Sequence, residues 1–405
     1  MQVPRYLCIS AGFLPGRPQT GITRTAKRAN KKGTFQMVIG VAKEIKNNEF
    51  RVGLTPNAAS EYVKAGHTVL IEKDAGIGSS FTDAEYVAAG CQIVETAAEA
   101  WSADMVIKVK EPLESEYKYF REGLVLYTYL HLAADEPLTH ALMETGVKAV
   151  AYETIVGRNG GLPCLAPMSE IAGRMSIQEG AKYLERPFGG RGVLLGGVTG
   201  VKHGNVVILG AGTVGLNAAK MAMGLNANVT ITDVNLDRLS YIDDLYGSRI
   251  TTMFSTDANI REVLKDADLV IGSVLLPGKA TPKLIREEHL KIMKPGAVIV
   301  DVAIDQGGCC ATSHPTTHDD PIFIKDGIVH YCVANIPGAV SNTSTQALVN
   351  RTLPYGLKLA NMGMEAACKS DKGLMAGVNV YAGKCTFAGV AEALGLEYVA
   401  PETVM

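Results

Sequence analysis

From Met37 onward the chain alternates short apolar runs with stretches whose apolar residues recur at helical spacing, the pattern of a parallel sheet with crossover helices. VIGVAK (38–43) reads as a buried strand, followed by a turn and an amphipathic stretch around Ala58–Ala65. HTVLIEK (67–73), MVIKVK (105–110), LVLYTYLHL (124–132) and KAVAYE (148–153) supply four more strands, and this first α/β layer ends near Leu162. From Ser169 to Leu184 there is no proline, helix formers dominate and the apolar spacing is helical. Ser169 is the expected N-cap there, with Pro167 just before it. GGRGVLLGGVTG (189–200) then reads as a loop or short hairpin.

A second α/β unit opens at NVVILG (205–210) and continues through NVTITD (228–233), LVIGSV (269–274), AVIVDV (297–302) and IVHYCV (328–333). Beyond Asn335 a helical run reaches about Cys368 without a complete βαβ set, so it is expected to pack back on the first unit. The expected fold is α/β: two Rossmann-like doubly wound domains with a cleft between them, the first domain discontinuous. Residues 37–163 plus 342–405 form the expected substrate domain, and 164–341 the nucleotide-binding domain. Doubly wound sheets bind ligands beyond the carboxyl ends of their strands, so cofactor and substrate should meet in that cleft.

Composition narrows the class. The 405 residues are 47% hydrophobic and 20% charged, ordinary for a chain with two sizeable cores. A net charge of −2 gives no reason to expect nucleic acid or a membrane surface as partner. No apolar run approaches the roughly 18–20 residues of a membrane span. The eight cysteines form no C-x-x-C pair, which suits a reduced, intracellular protein, and adjacent Cys309 and Cys310 read as ordinary rather than reactive. The His, including His314 and His318, lack metal-ligand spacing.

The first 36 residues stand apart, with seven Lys or Arg and no Asp or Glu; without them the chain has 32 basic against 41 acidic residues, or −9. They are expected to lie outside the fold, as an upstream start or added extension, an organelle-directing peptide, or a structural arm. Their Arg-rich, acid-free composition fits a transit peptide, whereas the apolar core of a secretory signal is missing. The expected location is cytoplasmic, with an organelle as the alternative.

Candidate chemistry enters at two places. Gly210-Ala211-Gly212-Thr213-Val214-Gly215 is a G-x-G-x-x-G run that follows a strand and opens a helical pattern, with Asp233 closing the next strand. In that setting Gly210 makes the tight turn, Gly212 admits a pyrophosphate to the backbone, and Gly215 lets helix and strand approach. Asp233 should accept the ribose hydroxyls and repel a 2′-phosphate, which favours NAD; nearby Arg238 complicates the choice because it suits such a phosphate.

In the first unit, ionisable residues stand near strand ends. Arg51, in NNEFRVGLTP, offers a planar fork for a carboxylate and otherwise reads as a solvated loop cation. Lys110 closes MVIKVK, but Lys108 lies on the same face of that strand, and spacing does not choose between them. His131, in an otherwise uncharged strand, is a candidate general acid–base group, weighed against a core histidine. Asp305, in VDVAIDQGG, follows a strand of the second unit and also fits an ordinary Asp-Gly turn.

EIKNNEFRVGLTP, KVKEPL, YLHLAA, LAPMSEIAGR, VILGAGTVGLNAA, DVAIDQGGC and CVANIPGAVSNTST, in that order, resemble the alanine dehydrogenases, and the resemblance runs from Met37 to the C-terminus. It implies NAD-dependent conversion of L-alanine to pyruvate and ammonia. It also implies that Arg51 and Lys110 bind substrate, which selects Lys110 over Lys108, and that His131 and Asp305 serve proton transfer. Cofactor contacts implied by the resemblance are Ser169, Asp233, Arg238, Ser255 and Asn335 with the three glycines, and homohexamers are usual in that family. Competing readings are the NAD-binding subunit of a proton-translocating transhydrogenase, a dehydrogenase of a larger amino acid such as lysine, and a catalytically silent NAD sensor.

Overall fold

The computed structural model describes residues 35–274 and 281–405. The basic tail therefore lies outside the described residues except for Phe35, which packs on the core, and Gln36. Fifteen strands form two sheets among the described residues. The first contains β1 (Val38–Val41), β2 (Thr68–Glu72), β3 (Gln92–Val94), β4 (Met105–Ile107), β5 (Val125–Thr128) and β6 (Lys148–Ala151). The second contains β7 (Asn205–Leu209), β8 (Asn228–Asp233), β9 (Thr251–Phe254), β10 (Leu269–Gly272), β11 (Val298–Asp301), β12 (Ile322–Lys325) and β13 (Ile328–Tyr331). After the second sheet, β14 (Val378–Tyr381) and β15 (Lys384–Cys385) return to the first, with β14 antiparallel to β6.

The sheet orders are β15-β14-β6-β5-β4-β1-β2-β3 and β12-β13-β11-β10-β7-β8-β9. Each contains a six-strand parallel block in which the first strand sits between the second and the fourth. That is the 3-2-1-4-5-6 order, and it opens a crevice at the carboxyl ends of β1 and β4 in one sheet and of β7 and β10 in the other.

Central strands β4, β5, β10, β11 and β13 are buried along their whole length, as parallel strands covered on both faces must be. One apolar core joins the two sheets. It runs from Ile39, Val41 and Tyr127 through Met168, Met175 and Ile177 to Ile208, Ile271 and Tyr331. The helix Ala166–Tyr183 lies in that seam and packs mainly on the helix Thr213–Gly224. The helix Ser341–Met362 carries the chain back across it, where Tyr127 donates a hydrogen bond to the Thr352 carbonyl (3.0 Å).

Three expectations are corrected. The Ala166–Tyr183 helix starts three residues before Ser169, which sits in its first turn instead of capping it. Pro167 causes the difference: it needs no amide partner in a first turn and its fixed φ suits a helix, so the proline lies inside the helix. Strand β4 stops at Ile107, so Lys108 and Lys110 leave the sheet on a loop and share no strand face. Strand β5 stops at Thr128, so His131 stands beyond it in a left-handed backbone conformation (φ 51°, ψ 33°). The glycine-rich stretch after the helix does turn back on itself, through a Val198–Val201 bridge.

Candidate active site

The loop leaving β1 carries the first charged group. Arg51 is buried, 2% exposed, and its guanidinium is already met by a carboxylate. Its Nε and Nη2 donate to the two oxygens of Glu49 (2.7 and 2.6 Å), Nη1 donates to the Met168 sulfur (3.1 Å), and Nη2 also donates to Asn335 Oδ1 (3.0 Å). Asn335 Nδ2 completes the set by donating to Glu49 (3.1 Å). Burial works to raise the Glu49 pKa, but the hydrogen bonds and charge of Arg51 prevail and hold it below the usual carboxylate range. Arg51 is thus no solvated loop cation, and its fork edge is taken by Glu49, which leaves the Nη1 edge for any other anion.

The loop leaving β4 separates the two lysines. Lys108 is fully buried between Glu44 (3.2 Å) and Glu116 (3.0 Å). Burial opposes its charge, but the two carboxylates outweigh it and raise the pKa. Glu44 shares that one ammonium, so burial dominates there and lifts its carboxyl above the ordinary value. Glu44 also accepts the Val109 amide (2.7 Å), which fixes the backbone leading to Lys110. Lys110 is only half-buried, and its ammonium has no ion pair among the described residues. Burial pushes its pKa down, Glu111 opposes, and the neighbouring charges of Arg51 and Lys46 add to the depression. One lysine is an internal strut; the other is a cation held ready for an anion.

Beyond β5, His131 projects a ring that is 49% exposed. Its Nδ1 lies 3.3 Å from Glu111 Oε2, and the other oxygen of Glu111 is bound by Lys46. The His131 amide donates to Glu153 at 2.7 Å, and the Leu130 amide donates to the same carboxylate at 3.0 Å. Asp305 comes from the other sheet, on the turn after β11. Burial raises its pKa, while the charges of Lys110, His131 and Lys46 pull it down; these are the groups that face it from the first domain. Water still reaches Asp305, as expected at the mouth of a cleft.

The nucleotide side is built around the turn between β7 and the helix Thr213–Gly224. Gly210 has φ 103°, open to glycine without strain. A Cβ on Gly215 would overlap the Gly210 carbonyl oxygen, so only glycine allows this close return. A Cβ on Gly212 would meet nothing within 4 Å, which leaves the backbone open to a ligand. No side chain caps the helix beyond it, so its first amides remain available to an anion. Asp233 accepts the Ala211 amide (2.7 Å) and the Asn235 amide (2.8 Å), while Arg238 Nε donates to the Ala211 carbonyl (2.6 Å). The Ser255 amide donates to the Asp233 carbonyl (3.0 Å). An open backbone, free helix amides and a carboxylate at the next strand end fit a dinucleotide.

The structure thus gathers Arg51, Lys110, His131, Asp305 and Asn335 around one cleft, and Gly210, Gly212, Gly215, Asp233, Arg238 and Ser255 around the glycine turn after β7. Sequence reading passes over Lys46, Glu49, Glu111 and Glu153. Each of these lies past an apolar strand at its carboxyl edge, and that placement is the signal the sequence offers.

Two family models cover most of the chain: "Alanine dehydrogenase/PNT, N-terminal domain" over residues 40–172 and "Alanine dehydrogenase/PNT, C-terminal domain" over residues 176–388. The chain belongs to the alanine dehydrogenase/PNT family. It is 55% identical over 370 residues to an alanine dehydrogenase of Staphylococcus haemolyticus, covering 91% of this chain and 99% of that one. It is 56% identical over 370 residues to alanine dehydrogenase 2 of Staphylococcus aureus, covering 91% of this chain and 100% of that one. Among solved structures, an L-alanine dehydrogenase superposes with a TM-score of 0.87 at 54% identity, over 89% of this chain and 99% of that one. A transhydrogenase from Sinorhizobium meliloti gives a TM-score of 0.74 at 24% identity, over 87% of this chain and 99% of that one, a likeness of fold.

Proposed function

We propose that this protein is an NAD-dependent L-alanine dehydrogenase, catalysing the reversible oxidative deamination of L-alanine to pyruvate and ammonia. The observation that carries the reading is one cleft with Arg51, Lys110 and His131 on one wall and Asp305 on the other, next to a glycine turn open to a dinucleotide, in a chain about 55% identical to alanine dehydrogenases. When bound, NAD supplies the hydride acceptor.

The chain's own residues do the rest. Lys110 and the Nη1 edge of Arg51 hold the substrate carboxylate and present the α-carbon in one orientation. Lys110 gains most from this, because a desolvated cation without a partner recovers its lost solvation when an anion arrives. The substrate amine reacts in its neutral form. His131 removes a proton from the water that adds to the substrate iminium carbon, and returns a proton as ammonia departs. Asp305 positions that water or relays its proton from the opposite wall. On the nucleotide side, the amides after Gly212 take the pyrophosphate and Asp233 and Ser255 face the ribose, while Ser169 and Asn335 are assigned to cofactor contact by the family resemblance. Asp233 is the reason to expect NAD rather than NADP. Within the described residues no helix is long and apolar enough to cross a membrane, and we place the enzyme in the cytoplasm as a homo-oligomer, a hexamer by family resemblance.

NADH formation from purified protein, NAD and L-alanine at alkaline pH tests this, with L-lysine, L-serine and NADP as comparisons. Turnover confined to alanine with NAD is expected, and His131→Ala should cut kcat at least ~100-fold while NADH still binds. Tight NADH binding without turnover of any amino acid would return the chain to a transhydrogenase-like or sensor role.

A further inference from the structure

His131 occupies a backbone conformation that residues with a Cβ seldom adopt, and it persists only where its surroundings hold it. Here the holding group is identifiable. Glu153, just beyond β6, accepts the amides of both Leu130 and His131 (3.0 and 2.7 Å), so the main chain at His131 is clamped to the neighbouring strand. The remaining freedom is in the ring. An imidazole that is 49% exposed would sample both ring flips and both tautomers if nothing selected among them. Asp305 faces it from across the cleft, and Glu111 is the group within hydrogen-bond distance among the described residues, with Oε2 at 3.3 Å from Nδ1.

We propose that Glu111 is a positioning residue for proton transfer: its carboxylate keeps the His131 hydrogen on Nδ1 and the ring in one flip, leaving the Nε2 lone pair for the reaction. This rests on the reading of His131 as the proton-transfer group. The carboxylate suits the task because it is 11% exposed, itself tethered by Lys46, and adjacent in sequence to Lys110. Burial alone would favour its neutral form, but the hydrogen bond from His131, the charge of Lys110 and the hydrogen bond from Lys46 hold it well below the usual carboxylate range. It therefore stays an acceptor on both oxygens, one for Lys46 and one for His131. A single residue thereby ties the substrate-carboxylate lysine and the proton-transfer histidine into one rigid unit.

The decisive substitution is Glu111→Gln. Lys46 can donate only, so it would retain the amide oxygen and turn the amide NH₂ toward His131. Nδ1 would then have to accept, and the ring hydrogen would move to Nε2, the wrong atom for a base. We expect kcat for alanine oxidation to fall about 10- to 100-fold, with the KM for alanine and the NADH affinity within about threefold of the starting enzyme. Glu111→Asp, which keeps the charge, should recover part of the loss. The ¹⁵N spectrum of the full-length protein labelled at histidine should show the His131 ring changing from the Nδ1–H to the Nε2–H form. In the double variant with His131→Ala, Glu111→Gln should add no further loss.

A Glu111→Gln enzyme with unchanged kcat and an unchanged ring signature overturns the proposal, and so does a loss that multiplies with that of His131→Ala. Near-normal turnover in His131→Ala alone is a different result: it removes the histidine from the chemistry, and the proposed mechanism fails before Glu111 is reached.

Discussion

Replacing Lys108 by methionine separates the two lysines that spacing along the chain could not. Lys108 has a side chain 1% exposed, between Glu44 at 2% and Glu116 at 6%. Methionine fills nearly the same volume, so packing changes little; what is lost is the only cation within ion-pair distance of either carboxylate among the described residues. Removing one partner from a buried ion pair costs ~3–5 kcal/mol, because the other charge stays desolvated. The effect should depend on pH with a definite sign. Glu44 is already raised above the ordinary carboxylate value by burial, and it would rise further without the ammonium. A carboxylate with a raised folded pKa binds more protons folded than unfolded. Its contribution to stability therefore falls as pH climbs from the unfolded value through the folded one, and returns on acidification. Each pKa unit of that rise accounts for ~1.4 kcal/mol. The deficit of Lys108→Met should thus be largest at pH ~8 and shrink toward pH ~5.

The chain carries its own probe for this. Trp101 is the single tryptophan, 1% exposed and packed in the first domain's outer core with Phe120 and Leu126. Its fluorescence during urea unfolding reports the domain that contains Lys108. Lys108→Met with Glu44→Gln and Glu116→Gln should recover to within ~1 kcal/mol, because uncharged groups of the same shape carry no stranded charge. Glu44→Gln even keeps an oxygen for the Val109 amide. A deficit below ~1 kcal/mol at pH 8, or one that grows on acidification, would refute the assignment of Lys108 as a buried strut.

The remaining predictions concern the cleft. Lys110→Ala should leave Trp101-detected stability within ~0.5 kcal/mol, as expected for a lysine without an ion pair, while raising the KM for alanine. Steady-state kinetics and the same urea curve check both halves. Gly215→Ala should weaken NADH binding at least ~10-fold, because its Cβ would displace the Gly210 carbonyl and Ser273 Oγ, and a fluorescence titration reads this directly. Gly212→Ala has room for its methyl in the unliganded fold, so it should lose NADH affinity with no loss of stability; a stability loss there would mean the turn is packed, not open.

Burial decides how much of this is legible along the chain. Strands β1, β4–β7, β10, β11 and β13 announce themselves as apolar runs because both faces of the sheet are covered, and β2 and β8 by alternating a buried face with a more open one. Strands β3, β9 and β12 lie at the sheet edges with no fully buried position, and their mixed sequences look like loops. Strand β14 is buried, but Gly377 and Asn379 give it the composition of a turn, and only its pairing with β6 reveals it. The site divides the same way. The glycine turn can be read from spacing because its physics is local. Two of the partners that fix Arg51 and Lys108 cannot, since Asn335 and Glu44 lie 284 and 64 positions away and meet them only once the sheets are assembled. Reading His131 as part of a strand fails for a related reason: the apolar run does continue to Leu132, but the Glu153 carboxylate bonds the amides at 130 and 131 and takes them out of the ladder.

The two sheets use one strand order for opposite purposes, and the difference lies in the residues just past the first strand of each. After β7 comes Gly210-Ala211-Gly212, with no bulk and no charge, so the first helix amides are left open to an anion. After β1 comes a stretch with Lys46, Glu49 and Arg51, and the matching crevice is filled by side chains that answer one another's charge. The link between the halves is equally specific. Asn335, at the exit of the second sheet, holds both Arg51 and Glu49, and Asn48 donates to Asp319 at 3.0 Å. A movement that draws Asn335 away from the loop after β1 would break hydrogen bonds to the guanidinium proposed to receive the substrate carboxylate. The rigidity of that guanidinium is set by the position of the second domain as much as by the first.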